Sequence, residues 1–338
     1  HEKFVKNMVA GATGIDIVVM VIAADEGVMP QTREHMEICT LLGVEYGLVA
    51  VTKIDMVDEE WLELALEDIQ DFVKGTFLED APVATVSATT QKGIPEFIDI
   101  LDELAAKIPD RPPSDLFRLP IDRVFTMKGF GTVITGTLVS GQVRVGDQIM
   151  IYPSEITSKV RGIQVHNKSA DEASAGMRTA INFQGLEKEA IRRGEVLSKP
   201  GNLVASYMVD VSLHYLASNK KPLKNRTRVR FHTGTSEVLG NVILLDREEL
   251  SPNEDTVVQL RLDTPVALVK DDRFVIRSYS PVYTIGGGKV LNPIPVKHKR
   301  FKPETVDGLK VLDHQTPDAT IEFQFADAAY QGVSFSHL

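Results

Sequence analysis

Thr52-Lys53-Ile54-Asp55 follows the apolar run Leu48 to Thr52, so a lysine and, two residues on, a carboxylate leave the end of what reads as a buried strand. A carboxylate at that edge can accept two hydrogen bonds from guanine, from N1–H and from the exocyclic N2–H2, while the stem of Lys53 packs along the purine face. Adenine has neither donor in those positions, so Asp55 would specify guanine. The alternative is a surface Lys–Asp pair. Val86-Ser87-Ala88-Thr89 closes a second apolar run. The small residues Ser87 and Ala88 would let backbone N–H groups approach the guanine carbonyl, or they simply form a strand-to-helix turn.

The elements that must position these residues read as α/β. Ile15 to Ile22 is apolar on both faces, as a buried parallel strand should be, and Leu48 to Thr52 and Val83 to Ser87 make two more. Glu59 to Val73 spaces Trp61, Leu62, Ala65, Leu66, Ile69, Phe72 and Val73 on one helical face with acids opposite. Gln31 to Leu42 and Pro95 to Ile108 are further helices. The proline-rich Ile108 to Ser114 continues neither element and marks a boundary. Beyond it the period shortens to two, with turns at Lys128-Gly129, Ser140-Gly141 and Val145-Gly146-Asp147, which predicts an antiparallel barrel. A break at Ser198 to Asn202 introduces a second β-rich run, Ala205 to Leu291, punctuated by Gly234, Gly240, Pro252 and Gly286-Gly287-Gly288. That triplet lacks the strand-to-helix setting of a dinucleotide loop and reads as a turn.

The chain has 338 residues, room for two or three domains, with an apolar fraction of 43% and a charged fraction of 25%. Against 37 Lys and Arg stand 47 Asp and Glu, a formal charge of −10, which excludes wrapping of nucleic acid by the whole surface and leaves local basic patches open. One cysteine, Cys39, cannot form an internal disulfide, and there is no signal peptide and no 18-residue apolar run. A reducing cytosolic compartment is expected, without membrane contact. His166 and His232 lie in β text without zinc spacing. The basic run Lys297, His298, Lys299, Arg300, Lys302 is either a solvated linker or a contact to an RNA backbone. Opening on His1 and ending on His337-Leu338, the sequence reads as a piece of something longer.

Three motifs in order carry a resemblance. His1, Phe4, Asn7 and Met8 match the later part of Pro-Gly-His-x-x-Phe-x-x-Asn-Met; Asp25-Glu26-Gly27-Val28-Met29-Pro30-Gln31-Thr32-Arg33-Glu34-His35 follows; then comes Thr52-Lys53-Ile54-Asp55 in place of the commoner Asn-Lys-x-Asp. Together they resemble the translational GTPases. The resemblance implies that His1 orients or activates the water that attacks the γ-phosphate of GTP. It also implies that the phosphate-cradling loop and the Mg²⁺ ligands precede residue 1, so residues 1–338 alone should not hydrolyse GTP.

Leu119-Pro120-Ile121-Asp122-Arg123-Val124-Phe125 running into Gly129-Phe130-Gly131-Thr132-Val133-Ile134-Thr135-Gly136-Thr137 is similar to the selenocysteine-specific elongation factors. Ala175-Gly176-Met177-Arg178, Asp272 to Arg277 and Thr284 to Gly288 match the same branch. The resemblance implies residues 1–112 as a GTP-binding domain lacking its phosphate loop, barrels at 116–200 and 203–296, and the start of a winged-helix region at 300–338. It further implies a monomeric carrier of selenocysteinyl-tRNA acting at the ribosome on recoded UGA codons, with a message hairpin bound by later domains. In that branch Asp122, Arg123 and Arg178 belong to the aminoacyl pocket. A selenol is largely ionised at neutral pH, unlike a serine hydroxyl, and two guanidinium groups would favour it, with Asp122 orienting them. The alternative is an exposed cross-strand pair beside an ordinary edge arginine. Rival families are elongation factor Tu, the gamma subunit of the archaeal and eukaryotic initiation factor, and the GTPase that activates sulfate adenylyltransferase; a vestigial nucleotide site is a further alternative.

Overall fold

The structure is a computed structural model that describes residues 7–11, 14–109, 114–127, 131–183 and 185–314. His1, the turn at Lys128-Gly129 and everything after residue 314 lie outside them. The chain divides into two compact units, residues 15–111 and 112–338, with residues 2–14 grouping with the second.

The first unit is built on three parallel strands in the order β1 (Ile17–Ala23), β2 (Tyr46–Thr52), β3 (Val83–Thr85). The central β2 is buried along five successive residues, which is why it is apolar on both faces. One face packs Met20, Ile22, Val49 and Val51 against Ile69 and Val73 of a helix. The other packs Leu48, Ala84 and Val86 against Leu104 of another. The helices are α1 (Pro30–Leu41), α2 (Glu59–Val73) and α3 (Ile94–Lys107). Asp58 caps α2 by accepting from the Trp61 N–H at 2.9 Å. Trp61 itself, expected on the buried face, is 53% exposed; in the first turn of α2 its indole lies at the rim and donates to Ala24 O at 2.9 Å. Cys39 on α1 is buried, and burial pushes its thiol pKa up to about 11.

The second unit holds two barrels. The first has β4 (Leu119–Pro120), β5 (Arg123–Met127), β6 (Gly131–Thr137), β7 (Gln148–Tyr152), β8 (Ile156–Val165), β9 (Arg178–Phe183) and β10 (Val196–Ser198). Its sheet runs β4-β10-β7-β8-β9-β6-β5. The single stretch 119–127 pairs with β10 through β4 and with β6 through β5, so it joins the two ends of the sheet and bends at Ile121-Asp122. The second barrel closes fully in the order β11 (Ala205–Tyr215), β14 (Glu254–Ala267), β13 (Ser236–Leu244), β12 (Arg228–Thr233), β15 (Arg273–Ser278), β16 (Thr284–Asn292). Gly240 and Gly286-Gly287-Gly288 prove to be strand residues rather than turns, the triplet lying inside β16 against β11. A side chain at Gly288 would put its Cβ 2.0 Å from Ser212 O, so the glycines serve close backbone approach.

Arg118 and Asp272 join the barrels. The guanidinium Nη1 donates to both carboxylate oxygens at 2.7 and 2.8 Å, and the Val269 N–H donates to the same carboxylate at 2.9 Å. Beside them Tyr152, Leu203 and Ala267 form a small apolar cluster. The Tyr152 hydroxyl donates to Lys199 O and accepts from the Gly201 N–H, tying down the connecting segment. After β16 the chain folds back onto its barrel and enters α4 (Pro303–His314). Val306, Leu309 and Leu312 of α4 pack on Ile243, Leu245, Val257 and Leu291.

Candidate functional site

The carboxyl ends of β1, β2 and β3 meet at one edge. The Ala24 N–H donates to Thr52 O at 2.8 Å and the Val86 N–H to Val51 O at 2.8 Å, which brings Thr52 and Ser87 to the same rim. At Lys53 the backbone turns left-handed (φ 58°, ψ 33°) and enters a short 3₁₀ turn at Ile54–Met56 that carries Asp55 into solvent. Lys53 Nζ reaches Asp25 Oδ2 at 3.1 Å and Glu26 Oε1 at 2.9 Å, so two motifs 27 residues apart in sequence come together. The bonds to Glu26 and then Asp25 raise the Lys53 pKa above the usual lysine value, and the ammonium stays charged. Among the described residues the Asp55 carboxylate has no partner and both its oxygens are open to a ligand.

Ser87 is fully buried. Its N–H is taken by Lys92 O at 2.9 Å and its hydroxyl accepts from the Thr90 N–H at 3.1 Å, so it shapes the turn. The Ala88 N–H makes no hydrogen bond among the described residues. Of the two small residues expected to approach a carbonyl, Ala88 thus keeps a free donor. Gly93, at φ 75°, lets the turn close, since a Cβ there would lie 2.0 Å from Thr85 O.

A separate cleft of about 560 Å³ lies in the second unit. Asp122, at the bend between β4 and β5, is its centre. Asp122 Oδ1 accepts from the Thr135 hydroxyl at 2.6 Å and Oδ2 meets Arg178 Nη1 at 2.6 Å. The backbone fixes these contacts, because Arg123 stands opposite Thr135 and Arg178 opposite Thr137 in the ladders on β6. Arg123 lines the cleft and is exposed. All three residues expected to share a pocket therefore do so, with one carboxylate among the arginines.

Arg193 is a lining residue that sequence reasoning missed. Its Nη1 donates to Asn7 Oδ1 at 2.8 Å, and it stands one residue before Gly194, whose φ of 97° makes a tight turn. Thr235 lines the same cleft, and its buried hydroxyl has no partner among the described residues. A smaller cleft of about 200 Å³ is lined by Met127, Val133, Arg161, Gln164, Ser169 and Asn182, among others. Side chains alternate across a strand, so Arg123 with Met127 on β5, and Arg178 with Asn182 on β9, point to the same outer face. Four residues of strand separate the two clefts by about 13 Å.

A parallel sheet with Thr52-Lys53-Ile54-Asp55 at its carboxyl edge, followed by two antiparallel barrels, is the architecture of the elongation-factor type of GTP-binding domain and its partners. Residues 1–107 match the Elongation factor Tu GTP binding domain, residues 131–198 Elongation factor Tu domain 2, and residues 210–297 the Selenocysteine-specific elongation factor, beta-barrel domain. The chain is 50% identical to the selenocysteine-specific elongation factor of Desulfomicrobium baculatum over its full length, and 36% identical to that of Escherichia coli over 94% of its length. It spans 53% and 50% of those two proteins, about half of each. A bacterial selenocysteine-specific elongation factor EF-Sec superposes with a TM-score of 0.84 at 26% identity, over 99% of this chain and 54% of that one. The elongation factor SelB of Methanococcus maripaludis in complex with the GTP analogue GPPNHP superposes with 0.75 at 25%, over 88% and 70%. Over its full length the chain is thus similar to selenocysteine-specific elongation factors.

Proposed function

We propose that this chain reads both the guanine nucleotide and the aminoacyl ester in a factor that carries selenocysteinyl-tRNA to the ribosome at recoded UGA codons and hydrolyses GTP there. The observation that carries the reading is the Asp122–Arg178 pair at 2.6 Å beside Arg123 in one open cleft. A carboxylate compensates part of the positive charge, and the remaining guanidinium donors are free to meet an anionic side chain. A seryl hydroxyl, uncharged, gains no comparable attraction. The smaller cleft, with an apolar floor at Met127 and Val133 and amides at Gln164 and Asn182, fits one planar base about 13 Å away on the same face. An aminoacylated terminal nucleoside would lie across the two.

At the sheet edge, Asp55 would accept from guanine N1–H and N2–H2, the Ala88 N–H would donate to the base carbonyl, and the Lys53 stem would cover one face. Arg193 offers the larger cleft a donor for a phosphate oxygen. His1, by family resemblance, would position the attacking water, and Mg²⁺ would be held by residues that precede it. A message hairpin would be bound by later domains.

The test is the ratio of affinities for selenocysteinyl-tRNA and seryl-tRNA. Arg178→Ala removes one guanidinium and half of the Asp122 pair. The preference for the selenium cargo should fall by about tenfold, the scale of one charge-assisted contact of about 1.5 kcal/mol. An unchanged ratio removes the assignment.

A further inference from the structure

The basic segment after the second barrel was expected to be a solvated linker or an RNA contact; Lys297, Lys299 and Lys302 are exposed, but His298 and Arg300 turn inward. His298 is buried, and its Nε2 meets Asp210 Oδ2 on β11 at 2.7 Å. Asp210 is itself fully buried and also accepts from Gln259 Nε2 at 3.1 Å. The same Gln259 amide donates to Val296 O at 2.8 Å, and Arg261 Nη2 donates to His298 O at 3.3 Å. Two residues further on, Arg300 Nε donates to Leu244 O at 2.7 Å and Nη2 to Arg247 O at 2.6 Å, while Nη1 pairs with Glu248 at 2.9 Å. The Phe301 N–H then donates to Leu245 O at 2.6 Å. At the far end of α4, Asp313 accepts from the Ser212 hydroxyl at 2.7 Å and pairs with Lys289 Nζ at 3.0 Å.

We infer that residues 293–314 are a rigid bracket fastened to the second barrel by His298 and Arg300, fixing the point and direction from which the chain continues past α4. A flexible tether would leave its backbone groups to water and would not bury a histidine against a fully buried carboxylate, where each unpaired polar group is costly. Here the backbone oxygens of Val296 and His298 accept from the barrel, and the strap returns donors to three barrel carbonyls. Fastenings stand at both ends of α4 with an apolar face between them. The inference is independent of what the following residues bind.

Cys39 is the sole cysteine and is buried, so spin labels can be directed to introduced cysteines. In the full chain carrying Lys221→Cys on the barrel and Asp307→Cys on α4, both exposed positions, the label-to-label distance is measured by double electron–electron resonance. One narrow distance population is expected. His298→Ala and, separately, Arg300→Ala should lose it to a broad one, and residues 293–301 should lose amide protection in hydrogen exchange. The arginine variant leaves the Asp210 network intact and guards against a histidine variant that unfolds the barrel. A broad distribution in the parent, or a narrow one in every variant that keeps the barrel's circular-dichroism spectrum, overturns the inference.

Discussion

Asp55 and Asp122 show how one side-chain type can stand in two very different surroundings. Asp55 is exposed and unpartnered among the described residues, so its oxygens are available to a base. Asp122 is held on both oxygens, by Thr135 and Arg178, and acts by placing its neighbours. Asp55→Asn replaces one acceptor by a donor, which suits the 2-oxo group of xanthine and not the 2-amino group of guanine. Competition between guanosine and xanthosine nucleotides should shift by about ten- to a hundredfold towards xanthosine, the value of one charge-assisted pair at about 1.5–3 kcal/mol. Both aspartates stood out in sequence through the family resemblance of the motifs around them, since either tetrapeptide alone reads equally well as a surface pair. Arg193 was not, since one arginine of Ile191-Arg192-Arg193-Gly194 looks like the other until the tight turn at Gly194 aims it.

Among the elements, periodicity read most truly where burial is two-sided or strictly alternating. The helix expected at Glu59 to Val73 has those bounds, and the second β-rich run extends from Ala205 to Asn292, one residue beyond expectation. Glycine misled it. Gly286-Gly287-Gly288 looks like a turn by composition, yet its role is to let β16 approach β11, a demand set by a strand some 75 residues earlier in the chain. His298 and Arg300 misled it for a similar reason, because their partners, Asp210 and the carbonyls of Leu244 and Arg247, are distant in sequence. Gly93 is the contrary case, a glycine between strand and helix that does make a turn. Gly93→Ala would meet both a left-handed backbone and the Thr85 carbonyl, and should lower the stability of the first unit by about 1–3 kcal/mol or more. Chemical denaturation followed by circular dichroism measures this, and a loss below a few tenths contradicts the geometry.

On the scale of the molecule, the two barrels of the second unit are joined by an ion pair, a small apolar cluster, a tied connecting segment and the approach of Gly234 to Pro120 and of Ser236 to Gly194. The pair is of the costly kind to break, since Arg118 and Asp272 side chains are only 15% and 17% exposed. Arg118→Ala leaves the Asp272 carboxylate with the Val269 N–H alone and should cost about 3–5 kcal/mol. Calorimetry should then show the barrels melting in separate steps where the parent unit melts in one.

The burial of Cys39 bears on redox safety. A selenolate, the cargo in the proposed function, reacts readily with thiols under oxidation to give a selenium–sulfur bond, so sulfur nucleophiles near it would be a hazard. This chain has one, enclosed under α1 with a pKa of about 11. At pH 8 only about one such thiol in a thousand is thiolate even before access is considered. Maleimide labelling of the native chain at pH 8 should be far slower than that of free cysteine and should accelerate on unfolding, with mass spectrometry as the readout. Within these 338 residues the one thiol is therefore kept from reacting until the first unit unfolds.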